Sequence, residues 1–358
     1  MKKVAVIGVG FGWKEIIQKL LHRGDTVDYY TYYPEQVDFD GINKVFVLTQ
    51  EYKPKSIPSI KRVSDKIKEL VKSENYDHVI STDLFIELGS NVAHFNSIVY
   101  RQSILNTPIE RFFYYLAHKA RIDYFKKWRR PEHEKMIVVS NNLKADYSSN
   151  CGIPEDKIIV APPGHNVAED IQSYKKTYNK DSEDFVFGAS ALGFKRKGGY
   201  LLLRTMFHLL KKHKNVKCRI IYPNHESNTF IKFVLNVLNL KDKVELVGYQ
   251  NGMSDFYNSI HCLVMPSYHE AFGLVATEAM MYRKPVIVSS RSGVTDIITD
   301  GRNGFIFDIT KNQTKNLMDK MEYVMQNYNN LDECIEKAFN SAKSLNWDNF
   351  AELIVNNL

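Results

Sequence analysis

Short apolar runs, closed by glycine, proline or polar turns, alternate along the chain with longer segments whose apolar residues recur at helical spacing. That alternation predicts strands and helices in turn, and so an α/β fold built on parallel sheets. In the first half, 4–8, 26–31, 44–48, 76–81, 91–96 and 136–140 read as strands, with helices from Gly12 to Leu21 and over 60–73. In the second half, 185–189, 217–222, 244–249, 261–265, 286–288 and 305–307 read as strands. Helices are predicted there over 200–213, 274–284, 314–327 and 331–344. Between the halves, Pro162, Pro163 and Gly164 make a stiff linker. The predicted domains are 1–165 and 166–345, with a last helix over 346–358.

The stretch 260–308 carries the densest chemistry. Its buried strand ends at Pro266, a polar loop follows from Ser267 to Gly273, and a helix starts at Leu274. A strand, a glycine-containing loop and a helix N-terminus together form an anion site, because free amides and the positive end of the helix dipole point over the loop. The amides of Ala271, Phe272, Gly273, Leu274 and Val275 are the candidates. Glu270 in the loop and Glu278, eight residues on and about two turns into the helix, bracket that site. A ligand with phosphate in its middle and hydroxyl-rich groups at both ends, such as a nucleotide-sugar, suits the layout. Arg283 and Lys284 are expected to close the helix's last turn against its carbonyl end.

These residues carry a resemblance. Glu270 and Glu278 in HEAFGLVATEAM are similar to the E-x7-E motif of retaining GT-B glycosyltransferases, most closely family 4. The longer pattern P-S-x-x-E-x-F-G-x-x-x-x-E-A-M-x-x-x-x-P-V-I, then G-x-x-x-x-I-x-D-G-x-N-G-x-x-F, is met almost completely. Lys197-Gly198 resembles the family's K-G motif, whose lysine pairs with donor phosphate, and Arg196 offers a planar bidentate partner beside it. Where many relatives have G-R, this chain has Ala189-Ser190, so Ser190 stands in the place of their arginine. The R-K-G arrangement is similar to that of lipopolysaccharide-core α-glucosyltransferases. Gly248-Tyr249 matches the turn where the family contacts the nucleotide base, and Leu345-Asn346-Trp347-Asp348 precedes a last helix that in relatives crosses back to the first domain.

The resemblance implies a GT-B fold, with two Rossmann-like domains facing a central cleft, the acceptor on the first and the donor on the second. It implies retaining transfer of a hexose, a UDP-sugar first and GDP or ADP donors next, with no cofactor and no metal required. Arg196 and Lys197 would stabilise the leaving diphosphate, Glu270 would bind sugar hydroxyls, and Glu278 would accept from the ribose. His94, late in a predicted strand, occupies a place where family members keep a histidine beside donor sugar and acceptor hydroxyl; a satisfied core histidine is the other reading. A non-catalytic nucleotide-sugar-binding subunit is the alternative function, given Ser190.

Gly8-Val9-Gly10-Phe11-Gly12 opens a βαβ unit and invites a dinucleotide reading, but its spacing is GxGxG and strand two ends without an acid for a ribose. In the GT-B reading Gly10 and Gly12 let the backbone approach the donor diphosphate or the acceptor. Asp38-Phe39-Asp40 reads as a surface turn rather than a metal motif.

Composition adds bounds. At 358 residues, 44% hydrophobic and 25% charged, the chain is of ordinary globular type, with no apolar run long enough to cross a membrane. Its four cysteines have no paired spacing, which fits a reducing cytoplasm. The net charge of +7 matters most where it concentrates, in the basic and aromatic segment 111–135. That segment reads either as a surface helix with one buried stripe or as a patch that meets an anionic membrane surface, peripheral on its inner face. Nucleic acid is the lesser alternative for the same composition. A glycan, a lipid-linked molecule or another hydroxyl compound is the expected acceptor.

Overall fold

The computed structural model describes residues 1–8, 12–31, 37, 40–48, 59–81, 89–93, 133–165, 167, 184–222, 229–248 and 253–358. They form two compact α/β units, one of Met1–Gly164 with Leu345–Leu358 and one of His165–Ser344.

In the first unit the chain runs β1 (Lys3–Ile7), α1 (Trp13–His22), β2 (Thr26–Thr31), β3 (Lys44–Val47), α2 (Ser59–Lys72), β4 (His78–Ser81), β5 (Gly89–Ala93), β6 (His133–Val138), α3 (Asn141–Cys151) and β7 (Ile158–Val160). The strands pair in parallel in the order β3-β2-β1-β4-β5-β6-β7. Val4 to Ile7 are fully buried, as a central parallel strand covered on both faces requires. Strand β5 begins two residues before the predicted run and its described part ends at Ala93, so His94 lies outside the described residues.

The second unit continues with β8 (Phe185–Ser190), α4 (Gly199–Lys212), β9 (Val216–Ile221), α5 (Thr229–Val237), β10 (Val244–Val247), α6 (Ser254–Ser259), β11 (Cys262–Met265), α7 (Leu274–Met281), β12 (Val286–Ser289), β13 (Phe305–Phe307), α8 (Gln313–Asn327) and α9 (Asp332–Lys343). Its parallel sheet has the order β10-β9-β8-β11-β12-β13. The chain winds outward from β8 to β10, then returns to β11 and winds the other way. The seam between β8 and β11 is therefore a topological switch point, where loops leaving the carboxyl ends of two adjacent strands diverge and open a crevice.

Helix α10 (Trp347–Val355) packs on α1. Gly12, with φ +66, caps α1, and a Cβ built there would lie 2.7 Å from the ring of Phe350. The fully buried Phe350 meets Trp347 edge-on at 5.5 Å. Arg23 donates to the Val355 carbonyl at 2.7 Å at the helix's far end. Truncating Phe350→Ala should therefore cost about 3–5 kcal/mol, read as a lowered denaturant midpoint; a loss below about 1 kcal/mol would contradict this packing.

Candidate functional site

Two loops meet at the seam of the second sheet. The first leaves β8 at Ser190 and tightens into a turn, with the Lys197 N–H donating to the Gly193 carbonyl at 3.0 Å and that of Gly199 to Phe194 at 2.8 Å. The second leaves β11 at Pro266 and reaches α7. A backbone bond from the Tyr268 N–H to the Arg196 carbonyl, 3.0 Å long, ties them together. Gly198 sits at φ +72 with its Cα against the second loop; a Cβ would fall 1.9 Å from the Pro266 carbonyl oxygen. Only glycine permits that approach.

The turn delivers Lys197 onto Glu270. Lys197 Nζ and the carboxylate of Glu270 form a close ion pair, with side chains only 13% and 14% exposed. Arg196 Nη1 lies 3.6 Å from the same carboxylate oxygen and 3.5 Å from the His269 carbonyl, and its side chain is 43% exposed. The backbone of Glu270 is clamped from the other side. Its N–H donates to the Arg291 carbonyl at 3.2 Å, and its carbonyl accepts from the Gly293 N–H at 3.0 Å. The Val294 N–H donates to the Phe272 carbonyl at 2.7 Å. Ser289 Oγ donates to the Ser267 carbonyl at 2.6 Å, which fixes the loop's beginning.

Helix α7 begins at Leu274 behind an N-cap, Gly273 at φ +116, that offers no side-chain cap. No acidic residue occupies its first turn. The first-turn amides of a helix have no intrahelical acceptor, so this end carries partial positive charge beside the Arg196, Lys197 and Glu270 cluster. Two full cations and one carboxylate sum to a net positive site before the dipole is added. That arrangement has the charge and the donors to suit an anion with at least two charged oxygens.

Glu278 lies one turn into α7, not two, since it stands only four residues past the helix start at Leu274. It is half-buried, and no cation among the described residues pairs with it. Burial raises its carboxyl above the usual carboxylate range, while a hydrogen bond from Tyr257 draws it part of the way back. Tyr257 Oη donates to Glu278 Oε2 at 2.6 Å. The two glutamates thus share one strand–loop–helix unit in opposite settings, one neutralised by cations and the other held by a phenol.

The expected end of α7 is corrected here. Arg283 and Lys284 do not close the last turn: α7 ends at Met281, and Arg283 takes the left-handed conformation at φ +54. The Lys284 N–H then reaches back to the Ala279 carbonyl at 2.9 Å, a Schellman closure. Lys284 is 1% exposed, and the Arg283 guanidinium pairs with Glu336 and stacks on Phe339. Gly12 meets the Phe350 ring rather than open space, so packing inside the first unit accounts for its missing side chain. Ser190, where the resemblance sought an arginine, ends β8 below the loop, and the two cations at the carboxylate are Arg196 and Lys197. Gly10, His94, Tyr249 and 111–130 lie outside the described residues, as do Asp38 and Phe39; Asp40 is exposed. Tyr257 is the site residue that the motif reading missed. Among the described residues no group of acids, histidines and cysteines is arranged to hold a metal ion, and no helix is long and apolar enough to cross a membrane.

The close approach at Gly198 gives a direct test. Gly198→Ala should displace the turn that carries Arg196 and Lys197 and weaken pyrophosphate binding by at least about tenfold. Gly301→Ala is the control, because Gly301 shares a positive φ, +76, but has nothing within 4 Å of its would-be Cβ. It should cost only about 1–2 kcal/mol of stability and leave binding intact. Equal binding by both variants would disprove the role given to the Gly198 contact.

Residues 170–341 match the family model described as glycosyl transferases group 1. Over 98% of this chain and 93% of the relative, the sequence is 28% identical to an uncharacterized glycosyltransferase of Methanocaldococcus jannaschii. The structure of WaaG, a glycosyltransferase involved in lipopolysaccharide biosynthesis, superposes with a TM-score of 0.71 at 15% identity, covering 99% of this chain and 98% of that one. HepE of Anabaena, solved in complex with UDP and glucose, superposes with a TM-score of 0.71 at 13% identity, covering 99% of each chain. The chain has the GT-B fold of these proteins, and its residues 170–341 are similar to the glycosyl transferases group 1.

Proposed function

We propose that this protein is a retaining glycosyltransferase that moves a hexose from a nucleotide-sugar, a UDP-sugar in the first instance, to a hydroxyl of a glycan or lipid-linked acceptor. The observation that carries the reading is the convergence of Arg196, Lys197 and the uncapped start of α7 on Glu270 at the switch point. A diphosphate supplies the oxygens this cluster lacks, and the UDP bound by HepE is a ligand of that kind. The donor belongs to the second unit and the acceptor to the first, with the division near residue 165.

In this reading the donor phosphates take over Arg196 and Lys197 from Glu270. The cations and the helix amides then stabilise the negative charge that grows on the leaving diphosphate as the glycosidic bond breaks. Because they are already ordered and partly dehydrated, little reorganisation accompanies that step. Glu270, released from the cations, accepts from hydroxyls of the transferred sugar and fixes its ring. Glu278 accepts from the ribose, Tyr249 and Gly248 lie at the base, and His94 faces the donor sugar and the acceptor hydroxyl. With one carboxylate at the sugar, departure of the diphosphate and attack by the acceptor share a face, without a glycosyl-enzyme. The positive charge supplied by Arg196, Lys197 and α7 does the work that a metal ion does elsewhere. The basic and aromatic segment 111–135 is assigned to an anionic membrane surface at which a lipid-linked acceptor is met.

Hydrolysis of UDP-, GDP- and ADP-sugars without acceptor tests the reading. One sugar should be slowly hydrolysed, and Glu270→Ala and Lys197→Ala should each lower that rate by about a hundredfold or more, the loss seen when one group stabilising a transition state is removed. A thermal shift with a nucleotide-sugar but no turnover, even with acceptors supplied, would favour a non-catalytic binding subunit. The membrane assignment is checked separately: flotation with anionic but not neutral vesicles, lost at high salt, is expected, and equal flotation with both would sink it.

A further inference from the structure

Helix α6 carries no residue of the motifs that mark the site, yet it supplies a contact to one of the two glutamates. Tyr257, in its middle, is fully buried. Its ring stacks on that of Tyr282 at 4.9 Å and 29°, and meets Phe256 at 5.6 Å. The N–H of Tyr257 is bonded to the Met253 carbonyl at 3.0 Å, so both ends of the side chain are fixed. Its hydroxyl is 2.6 Å from Glu278 Oε2 and 3.3 Å from the Val275 carbonyl. One proton cannot serve both acceptors well, and the shorter, charge-assisted bond to the carboxylate takes it.

We propose that Tyr257 is a positioning residue that holds Glu278 in one rotamer and in its ionised form, so that Oε1 is presented to a vicinal diol of a bound nucleotide. The inference rests on the reading of Glu278 as the ribose-binding carboxylate. The geometry assigns one oxygen to the phenol, and no other hydrogen bond among the described residues reaches the carboxylate. A carboxylate with one oxygen pinned has a single face left to offer. A vicinal diol donates two hydrogen bonds to such a face, whereas a 2′-deoxyribose donates one.

The electrostatics of the pocket make the phenol necessary. Burial favours the protonated form of Glu278, and a protonated carboxyl accepts poorly from two hydroxyls. Among the described residues, the titratable groups facing it are Tyr257 on α6 and Tyr282 at the end of α7, with Asp255 acting on Tyr282. Burial raises both phenols, so neither contributes a negative charge near neutrality. No cation among the described residues pairs with Glu278. Among those residues, the Tyr257 hydroxyl is the group that favours the charged carboxylate.

The sign of the pH effect follows. Without the hydroxyl, Glu278 stays protonated to higher pH than in the wild type. An acid whose folded-state pKa is raised makes its full contribution to stability below its unfolded pKa and loses it as pH rises. The extra instability of Tyr257→Phe is therefore largest near neutral pH and fades in acid, where both proteins hold Glu278 protonated. A merely structural hydroxyl, satisfying only Val275, would give a gap independent of pH.

The experiment compares wild type, Tyr257→Phe, Glu278→Gln and the double variant in the full chain, by thermal unfolding from pH 4 to 8 and by calorimetric binding of UDP and 2′-deoxy-UDP. The two nucleotides carry the same phosphates, so phosphate titration cancels from their ratio. Tyr257→Phe should bind UDP about tenfold more weakly near pH 6.5, recover partly as pH rises, and discriminate less against 2′-deoxy-UDP. Its stability deficit should shrink toward pH 4, and in the Glu278→Gln background the phenylalanine substitution should add little in either assay. A stability gap constant with pH, or wild-type discrimination between the nucleotides, would overturn the role of Tyr257 while leaving the ribose reading of Glu278 standing. A wild-type protein that binds UDP and 2′-deoxy-UDP alike would remove that reading, and the inference with it.

Discussion

A cation and a carboxylate held in contact at the seam between β8 and β11 are the constraint on which the site depends. Lys197 and Glu270 belong to loops that meet at the switch point and are 73 residues apart in sequence. Both side chains are largely buried, and burying either charge alone would cost several kcal/mol. Each makes the other's burial tolerable. The backbone does the rest: Gly198 closes against Pro266, Tyr268 bonds Arg196, and Glu270 is clamped between Arg291 and Gly293. A carboxylate fixed at its main chain and a lysine fixed by a glycine turn leave little freedom for anything but partner exchange.

Partner exchange is what an anion-binding site needs. In the function proposed above, an incoming phosphate would meet a lysine that has already shed much of its water, so it would forgo little in desolvation that Glu270 had not already forgone. Arg196 is the more exposed of the two cations and keeps the cluster net positive while Lys197 is engaged. Glu278 sits in the opposite regime, without a cation and with burial opposing its charge. Two carboxylates eight residues apart, on one loop and helix, thereby meet different partners, cations at Glu270 and a phenol at Glu278. Environment distinguishes them, not residue type.

Much of the fold was legible because parallel strands covered on both faces read as unbroken apolar runs, and β1, β8, β11 and β12 all do so. Glu270, Glu278 and Lys197 were legible because their spacing lies within single loops and helices. The failures share a cause. Helix α5 was missed because six of the nine residues in TFIKFVLNV are β-branched or aromatic, with Phe230, Phe233 and Val237 on its exposed side. The end of α7 was misplaced because nothing local announces that an arginine will take a left-handed conformation or that Lys284 will be buried. Tyr257 escaped because its partner is 21 residues away on another element. Period and motif report what a segment does alone, and these features are set by what it meets.

The glycines near the ends of the first unit carry the same lesson further. Gly12 invites a ligand-approach argument, since a bare backbone after a first strand is how phosphate loops are built. The ring that takes its Cβ space belongs to Phe350, near the end of the chain. At Gly164, the last residue of the first unit's long segment, a Cβ would lie 2.3 Å from the Trp347 backbone nitrogen. The chain therefore leaves the first unit and re-enters it at one place, with the outgoing and returning backbones in contact. Helix α10 fills the surface of α1 that the first 164 residues leave open. A bulkier residue at either glycine would push that helix off its seat, whatever happened to any ligand. The requirement for glycine at both positions is thus explained by chain closure, and a role for either in binding must rest on its amide rather than on its missing side chain.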